Sequence, residues 1–326
     1  MDFLAGFDIG GTKCAVIVGR ENPDGVPEII AKERFATCDY PDPEVCIGNM
    51  CHLLLQMLEK LNLQTSDIRA VGISCGGPLD PHIGVVQSPP NLPGWDDVPV
   101  VKLVKEYTSI DALLENDANA CALAEWRYGA GRGTQNMVFL TFGTGLGAGI
   151  IANGQLLQGA NGMAGECGHI RLAPDGPIGY GKRGSFEGFC SGGGIAQLGR
   201  FMAEKALQNN KPLAWCRSAA DLPGINAKLI ADAADNGDAD AQEVYRQSGM
   251  KLGMGLSILM DILNCERIVI GSIFARSEHL LRPAMQQVID EEALEHCAKV
   301  CRVVPAELGE SIGDIASLAV AAGIKK

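Results

Sequence analysis

The sequence predicts an α/β protein with mixed sheets flanked by helices, and three observations carry that reading. The chain has 326 residues, 47% of them hydrophobic and 20% charged, enough to bury a large core. A length prior of roughly 150 residues per domain then points to two domains. Apolar runs of strand length alternate with segments whose apolar residues recur at helical spacing. A glycine turn carrying a threonine occurs twice, as Gly10-Gly11-Thr12 and as Gly143-Thr144-Gly145. Each copy lies between two strand-like runs and opens one half of the chain. Disordered and fibrous architectures are excluded by this composition.

The elements follow in order. Phe3 to Val18 reads as strand, Gly-Gly-Thr turn, strand, because hydrophobics run continuously on both sides of the glycines. A third strand near Pro27 to Phe35 precedes an amphipathic helix over Pro43 to Leu61, with Val45, Met50, Leu53, Leu54, Met57, Leu58 and Leu61 at helical spacing. Ile68 to Ser74 is a buried strand. The Pro/Gly-rich stretch from Gly76 to Trp95 reads as a long ordered loop, a kind that is more often functional than not. A short helix near Val98 to Tyr107, a strand at Ile110 to Leu114 and an alanine-rich helix over Asn116 to Tyr128 complete the first half.

Met137 to Phe142 and Ala148 to Ala152 are strands on either side of the second glycine turn, and Asn153-Gly154 is a tight-turn signal before Gln155-Leu156-Leu157, so this stretch is a meander. Helices are expected over Gly192 to Gln208, Asn226 to Asn236, Ala239 to Leu263 and Leu280 to Glu295, strands at Arg267 to Ile270 and Val300 to Val304, and a terminal helix from Asp314 onward. The three glycines of the Ala239 to Leu263 helix fit close core packing better than a site.

Charge and cysteine usage narrow the function classes. With 27 Lys plus Arg against 39 Asp plus Glu, the net charge is −12, which repels a polyanion and leaves no basic stripe for nucleic acid. No signal peptide or membrane span is expected, since the longest apolar stretch, Leu252 to Leu263, is broken by Asp261 and two glycines. The twelve cysteines contain no Cys-x-x-Cys pair and most sit in apolar runs, as reduced thiols in a cytoplasmic protein do.

Four motifs can carry chemistry. Asp8-Ile9-Gly10-Gly11-Thr12-Lys13 puts a carboxylate at a strand end, then two residues without side chains, a hydroxyl and an ammonium. Glycine N–H groups can approach anionic oxygens closely, and Asp8 can hold a hydrated Mg²⁺. A plain hairpin turn explains the motif equally well. Gly143-Thr144-Gly145-Leu146-Gly147-Ala148 matches a dinucleotide-binding string, but a strand rather than a helix follows it, which leaves a second phosphate hairpin. Asn116-Asp117 follows a buried strand, where either residue can serve as a helix N-cap and Asp117 can serve as a general base. Glu166-Cys167-Gly168-His169, with Glu187 beyond it, supplies hydrogen-bonding partners for a polyhydroxylated ligand such as a sugar, although the histidine alone fits a structural role as well.

Taken together these residues resemble the ROK sugar kinases (repressor, open reading frame, kinase) of the actin/hexokinase superfamily, over nearly the whole chain. Asp8 to Lys13 is similar to the first phosphate motif of that family, and Gly143 to Gly147 to the second. Gly76-Gly77-Pro78 and Asn91-Leu92-Pro93-Gly94-Trp95 resemble its sugar-side loops, Asn116 to Ala120 its catalytic segment, and Glu166 to His169 its Glu-x-Gly-His signature. The resemblance implies a two-lobed, actin-like ATPase (ribonuclease H-like) fold, with 1–115 plus 314–326 in one lobe, 116–313 in the other and the active-site cleft between them. It implies Asp117 as general base, with Gly77, Asn91, Asn116, Glu166, His169 and Glu187 on the sugar side. ATP and Mg²⁺ would be held at Asp8, Gly10, Gly11, Thr12, Lys13, Gly143, Thr144 and Gly145, with adenosine near Gly271 and Ser272. A homodimer is expected from the family.

The family follows its Glu-x-Gly-His with three cysteines that complete a tetrahedral zinc site with the histidine. Aligned on Glu187, those positions are Ile178, Tyr180 and Ser185, while Gly181 and Gly184 persist, so a zinc-free variant is expected. Family repressors carry a winged-helix domain before the kinase motifs, whereas seven residues precede Asp8, and the kinase branch is the expectation. The function expected is therefore an ATP-dependent hexose kinase acting on the 6-hydroxyl of glucose or on a related hexose or N-acetylhexosamine. The rival is a sugar-sensing binding module that keeps the pocket and lacks transferase activity.

Overall fold

The computed structural model describes residues 3–22 and 25–323. The strands are β1 Phe3–Ile9, β2 Lys13–Arg20, β3 Glu28–Ala36, β4 Ile68–Cys75, β5 Leu79–Asp80, β6 Val85–Val86, β7 Ala112–Asn116, β8 Met137–Leu140, β9 Ala148–Ala152, β10 Gln155–Leu156, β11 Ile178–Gly179, β12 Lys182–Arg183, β13 Arg267–Ile270 and β14 Arg302–Pro305. The helices are α1 Pro43–Lys60, α2 Val100–Thr108, α3 Asp117–Tyr128, α4 Phe186–Phe189, α5 Gly192–Gln208, α6 Ala227–Asp235, α7 Ala239–Leu263, α8 Ile273–Glu292, α9 Glu295–Val300 and α10 Ile312–Ala321.

Two five-stranded sheets organise the chain, ordered β3-β2-β1-β4-β7 and β10-β9-β8-β13-β14. In the first, β1, β2 and β3 pair antiparallel, whereas β4 joins β1 and β7 joins β4 in parallel. The second repeats that plan: β9 and β10 pair antiparallel, while β13 lies parallel to both β8 and β14. The repeated glycine turn thus marks a repeated sheet, with the turn joining the first two strands each time. The Asn153-Gly154 turn has φ of +51° and +71°, the left-handed pair that a two-residue hairpin needs.

The described chain forms two compact units. One comprises Met1–Gly133, Gly149–Ala164 and Glu307–Lys326, and the other Thr134–Ala148 and Gly165–Ala306. The first is larger than the lobe expected at 1–115 plus 314–326, because α3 packs on α10 and Glu125 at its far end accepts the N–H groups of Glu307 and Leu308 at 3.2 and 2.9 Å. Residues 1, 2, 23, 24 and 324–326 of that expected lobe lie outside the described residues.

In the first unit, alternation along β1 feeds two cores. Ala5, Phe7 and Ile9 join Cys46, Ile47, Met50 and Leu54 of α1, while Leu4 joins Leu318 and Ala321 of α10 on the opposite face. The α10 face needs glycine. Gly6 and Gly72 are neighbours in the sheet, and a Cβ on Gly72 would lie 2.0 Å from the Ser317 carbonyl oxygen. Helix α1 begins where Asp42 caps the Val45 N–H at 3.0 Å with Pro43 in the first turn, and its buried residues recur at spacings of three and four.

The second unit packs α7 against α8, α6 and α5. Gly249 and Gly253 are core positions, since a Cβ on either would meet a carbonyl oxygen of α8 at 2.6 or 2.5 Å. Helix α8 departs from the expectation of Leu280 to Glu295. It begins at Ile273, immediately after Ser272, and tolerates both a non-helical Ser277 and Pro283. The break at Ser277 and the polar run from Arg276 to His279 hid its first turns. Helix α9 was not anticipated, because its six residues are too short for a periodic signal. All twelve cysteines are unpaired, as expected. No helix among the described residues is long and apolar enough to cross a membrane.

Candidate active site

The first unit gathers the early turn, two loops and the start of α3. Gly10 N–H donates to the Lys13 carbonyl at 3.1 Å, and Thr37 clamps the turn by donating its hydroxyl to Gly10 O at 2.6 Å and its N–H to Thr12 O at 3.0 Å. Thr37 was not singled out from sequence; it lies outside any motif and reaches the turn only through strand pairing. A Cβ on Gly11 would sit 2.4 Å from the Asn91 carbonyl oxygen, so the Pro/Gly-rich loop lies directly against the turn. Positions for a Cβ on Gly76 and Gly77 fall 3.5 Å from Asn91 Nδ2 and 3.2 Å from Asn116 Nδ2. Gly11, Asn91, Gly77 and Asn116 are thus brought together.

Asn116 closes β7 and caps α3, its Oδ1 accepting the Ala118 N–H at 3.0 Å, and Asp117 Oδ1 accepts the same N–H at 2.8 Å. The capping and functional readings therefore coexist, because each side chain retains further hydrogen-bonding atoms. Asp117 is open to solvent along one side yet closely surrounded by protein, and the lost solvation pushes its carboxyl up, against the pull of the Ala118 N–H. Asp8 is pushed up to about 6, first by burial and then by Asp314 and Asp117, with Lys32 and Lys13 opposing. Asp314 itself pairs with Lys32.

Three carboxylates thus crowd near one turn. Among the described residues no group of three or more His, Cys, Asp or Glu side chains could hold a metal ion by itself. That donor set suits Mg²⁺, which is bound through one or two carboxylates together with substrate phosphates and retained waters. Asp8 is the residue that would hold it.

The second unit gathers the other motifs. The turn from Gly143 to Gly147 is closed by Gly143 N–H to Gly145 O at 3.1 Å and by Gly147 N–H to Thr141 Oγ1 at 2.8 Å. Glu187 Oε2 accepts the Leu146 N–H at 3.0 Å, and a Cβ on Gly145 would lie 2.8 Å from that oxygen. One Glu187 oxygen is therefore engaged in the turn, and only the other is left for a ligand hydroxyl. Gly168 packs on the same turn, where a Cβ would be 2.2 Å from the Leu146 carbonyl oxygen, so the Glu166 to His169 segment is seated beside it.

Ser272 Oγ lies 3.7 Å from a Cβ position on Gly143, and the neighbouring Gly271 and Ile273 N–H groups bond to Leu140 O and Phe142 O, each at 2.9 Å. Gly143 and Ser272 are thus adjacent, with Gly271 buried beside them. Ser272 holds φ at +55°, a region costly for a residue with a Cβ.

The zinc positions are filled by residues of another chemistry. Ser185 is buried and caps α4, accepting the Gly188 N–H at 3.1 Å, while Tyr180 is 77% exposed and meets the His169 ring edge-on at 6.4 Å between centroids. Gln197 pairs with both backbone groups of Ile178 at 2.9 Å, and Lys182 Nζ donates to the His169 carbonyl at 2.7 Å. Amide, ammonium and aromatic contacts close the hairpin that thiolates would otherwise hold. Burial pushes the Cys167 thiol up to about 12 and the Cys190 thiol up as well, which makes both poor metal ligands. These residues do not fit zinc.

Two outcomes are expected. Metal analysis of purified protein should find no stoichiometric, tightly held zinc; one zinc per chain surviving dialysis against a chelator refutes the assignment. In the folded chain Asp8 binds its proton more tightly than it does unfolded, so its contribution to stability falls as pH rises from about 4 through 6. Asp8→Asn should raise stability at pH 7.5 by on the order of 2 kcal/mol and lose that advantage near pH 4. An equal effect at both pH values in calorimetry overturns the assignment.

Comparison with known proteins places the chain in a family. The sequence model of the ROK family matches residues 4–323. The chain is 32% identical over 318 residues to a glucokinase of Halalkalibacterium halodurans, covering 96% of this chain and 93% of that protein. It is 30% identical over 291 residues to an N-acetylmannosamine kinase of Escherichia coli, covering 89% of each. A solved ROK family glucokinase of Streptomyces griseus, in complex with glucose and AMPPNP, superposes with a TM-score of 0.72 at 28% identity, covering 97% of this chain and 98% of that one. The mixed sheets flanked by helices are those of the actin-like ATPase fold. The chain belongs to the ROK family.

Proposed function

We propose that this protein transfers the γ-phosphate of ATP to the 6-hydroxyl of glucose or of a related hexose or N-acetylhexosamine. That it is an ATP-dependent sugar kinase rests on full-length membership of the ROK family and on glucokinase relatives at 32% identity. The choice of sugar is our reading of the site. The observation that carries it is the grouping, within one unit, of Asp117 and Asn116 with Gly77, Asn91 and the Gly10 to Thr12 turn.

In this mechanism Asp117 orients the acceptor hydroxyl and takes its proton as the phosphoryl group transfers in line, a role worth roughly 10²–10⁴-fold. Its raised affinity for protons suits a base more than an inert surface carboxylate would. Asn116, Asn91, Gly77, Glu166, His169 and the free oxygen of Glu187 hold the sugar hydroxyls. Backbone N–H groups of Gly11 and Gly145, in turns that Gly10 and Gly143 close with their own N–H groups, hold the phosphates together with Thr12, Lys13 and Thr144, and Gly271 with Ser272 packs the adenosine. When bound at Asp8, Mg²⁺ supplies charge neutralisation to the β- and γ-phosphates. A homodimer and a cytoplasmic setting go with this reading from the family resemblance, and the net charge of −12 argues against a nucleic-acid partner.

A coupled assay of ADP release with glucose, mannose, fructose, allose and their N-acetyl relatives tests the reading, and glucose is expected to give the highest kcat/KM. If sugars raise thermal stability while none releases ADP, the chain is a sugar-binding module. Asp117→Asn should leave sugar binding nearly intact and reduce kcat by roughly 10²-fold or more; near-normal turnover in that variant refutes its role as base.

A further inference from the structure

Glu115 is the penultimate residue of β7, immediately before Asn116 and Asp117, and it is only 4% exposed. Its Oε1 accepts the Asn116 N–H at 3.0 Å and Asn119 Nδ2 at 2.9 Å, and its Oε2 accepts Gln158 Nε2 at 2.8 Å. Every partner is a neutral donor. A carboxyl group buried on such terms costs stability that an apolar residue at the same place would not. The cost is compounded at Asn119, which is 1% exposed and whose Oδ1 has no partner among the described residues. Packing alone does not account for this cluster at the start of an alanine-rich helix.

Its geometry supplies another reason. Gln158 belongs to the segment that follows β10, where the Leu157 N–H bonds to Ile150 O at 2.8 Å and the Ala164 N–H returns to Gln158 O at 3.1 Å. Gly159 and Gly162 inside this loop hold φ of +75° and +80°, and a Cβ on Gly162 would lie 2.7 Å from Pro81 Cδ. Gln158 therefore closes the loop with its carbonyl and fastens it to Glu115 with its side chain. Along the chain Glu166 lies two residues beyond Ala164.

We propose that Glu115 and Gln158 are positioning residues, their hydrogen bond latching the 158–164 loop to the strand end that bears Asn116 and Asp117 and thereby setting sugar capture. The proposal rests on the reading that Asn116, Asp117 and Glu166 meet the sugar. Glu115 also fixes the first peptide of the Asn116–Asp117 pair, so the latch transmits to both.

Gln158→Leu keeps the volume and removes the latch. It should raise the KM for sugar about tenfold, leave the KM for ATP within twofold, and speed hydrogen–deuterium exchange in peptides covering 157–164. Gln158→Glu alone, which sets two carboxylates face to face, should do the same. The paired exchange Glu115→Gln with Gln158→Glu restores an amide facing a carboxylate and should return sugar KM to within about threefold of the parent. Unchanged sugar KM and exchange in Gln158→Leu overturns the latch while wild-type turnover leaves the kinase reading standing, as does failure of the paired exchange to recover either quantity. If the wild-type chain phosphorylates no sugar, the kinase reading and the sugar-capture role fall together, and that result is distinguished by the absence of ADP before any variant is made.

Discussion

Two tight glycine turns, each joining the first two strands of a five-stranded sheet, are the constraint around which the remaining residues of both units are arranged. A turn that is to present backbone N–H groups to an anion needs residues without side chains on its outer surface and firm hydrogen bonds beneath it. Thr37 supplies the latter in the first unit, and Thr141 with Glu187 in the second. The same absence of Cβ atoms lets other segments approach to backbone distance. Asn91 rests on Gly11, and the Glu-x-Gly-His segment rests on Leu146 through Gly168. Candidate residues remote in sequence are brought to each turn because the turn leaves room for them.

Electrostatics around the first turn cost stability at neutral pH and above, since Asp8 must then carry its charge in a partly buried position. Burial first, then Asp314 and Asp117, raise the Asp8 carboxyl against the pull of Lys32 and Lys13, and Lys32 pairs with Asp314. A fold selected for stability alone would not hold unpaired carboxylates in partly desolvated positions. The arrangement is consistent with a place where a divalent cation and a proton acceptor are needed, and Glu115 adds a further buried carboxyl behind it.

The second unit holds the hairpin beside His169 by side-chain to backbone contacts. Gly181 and Gly184 turn the chain at φ of +74° and +65°, and Ser185 caps helix α4. The hairpin is held by the Gln197 amide on Ile178 and by Lys182 on the His169 carbonyl. Several weak directional contacts thus do what one tetrahedral centre would do, and they fix the backbone of His169 while Tyr180 flanks its ring.

Periodicity and turn chemistry determined most of the elements. The strands around both turns, α1 with its Asp42-Pro43 start, the alanine-rich α3 and the Asn153-Gly154 turn were all legible, because each is written in contiguous residues. The candidate residues were legible as short motifs for the same reason. What only the tertiary structure decided is which of them meet: Asn91 on Gly11, Glu187 on Leu146, Asp314 beside Asp8, Gln158 on Glu115. The placement of α3 and of the 149–164 hairpin with the first unit was likewise hidden. Those outcomes depend on contacts between residues tens to hundreds of positions apart, set by strand order and by the backbone clearance at glycines, and neither is encoded in any window of sequence short enough to show a pattern.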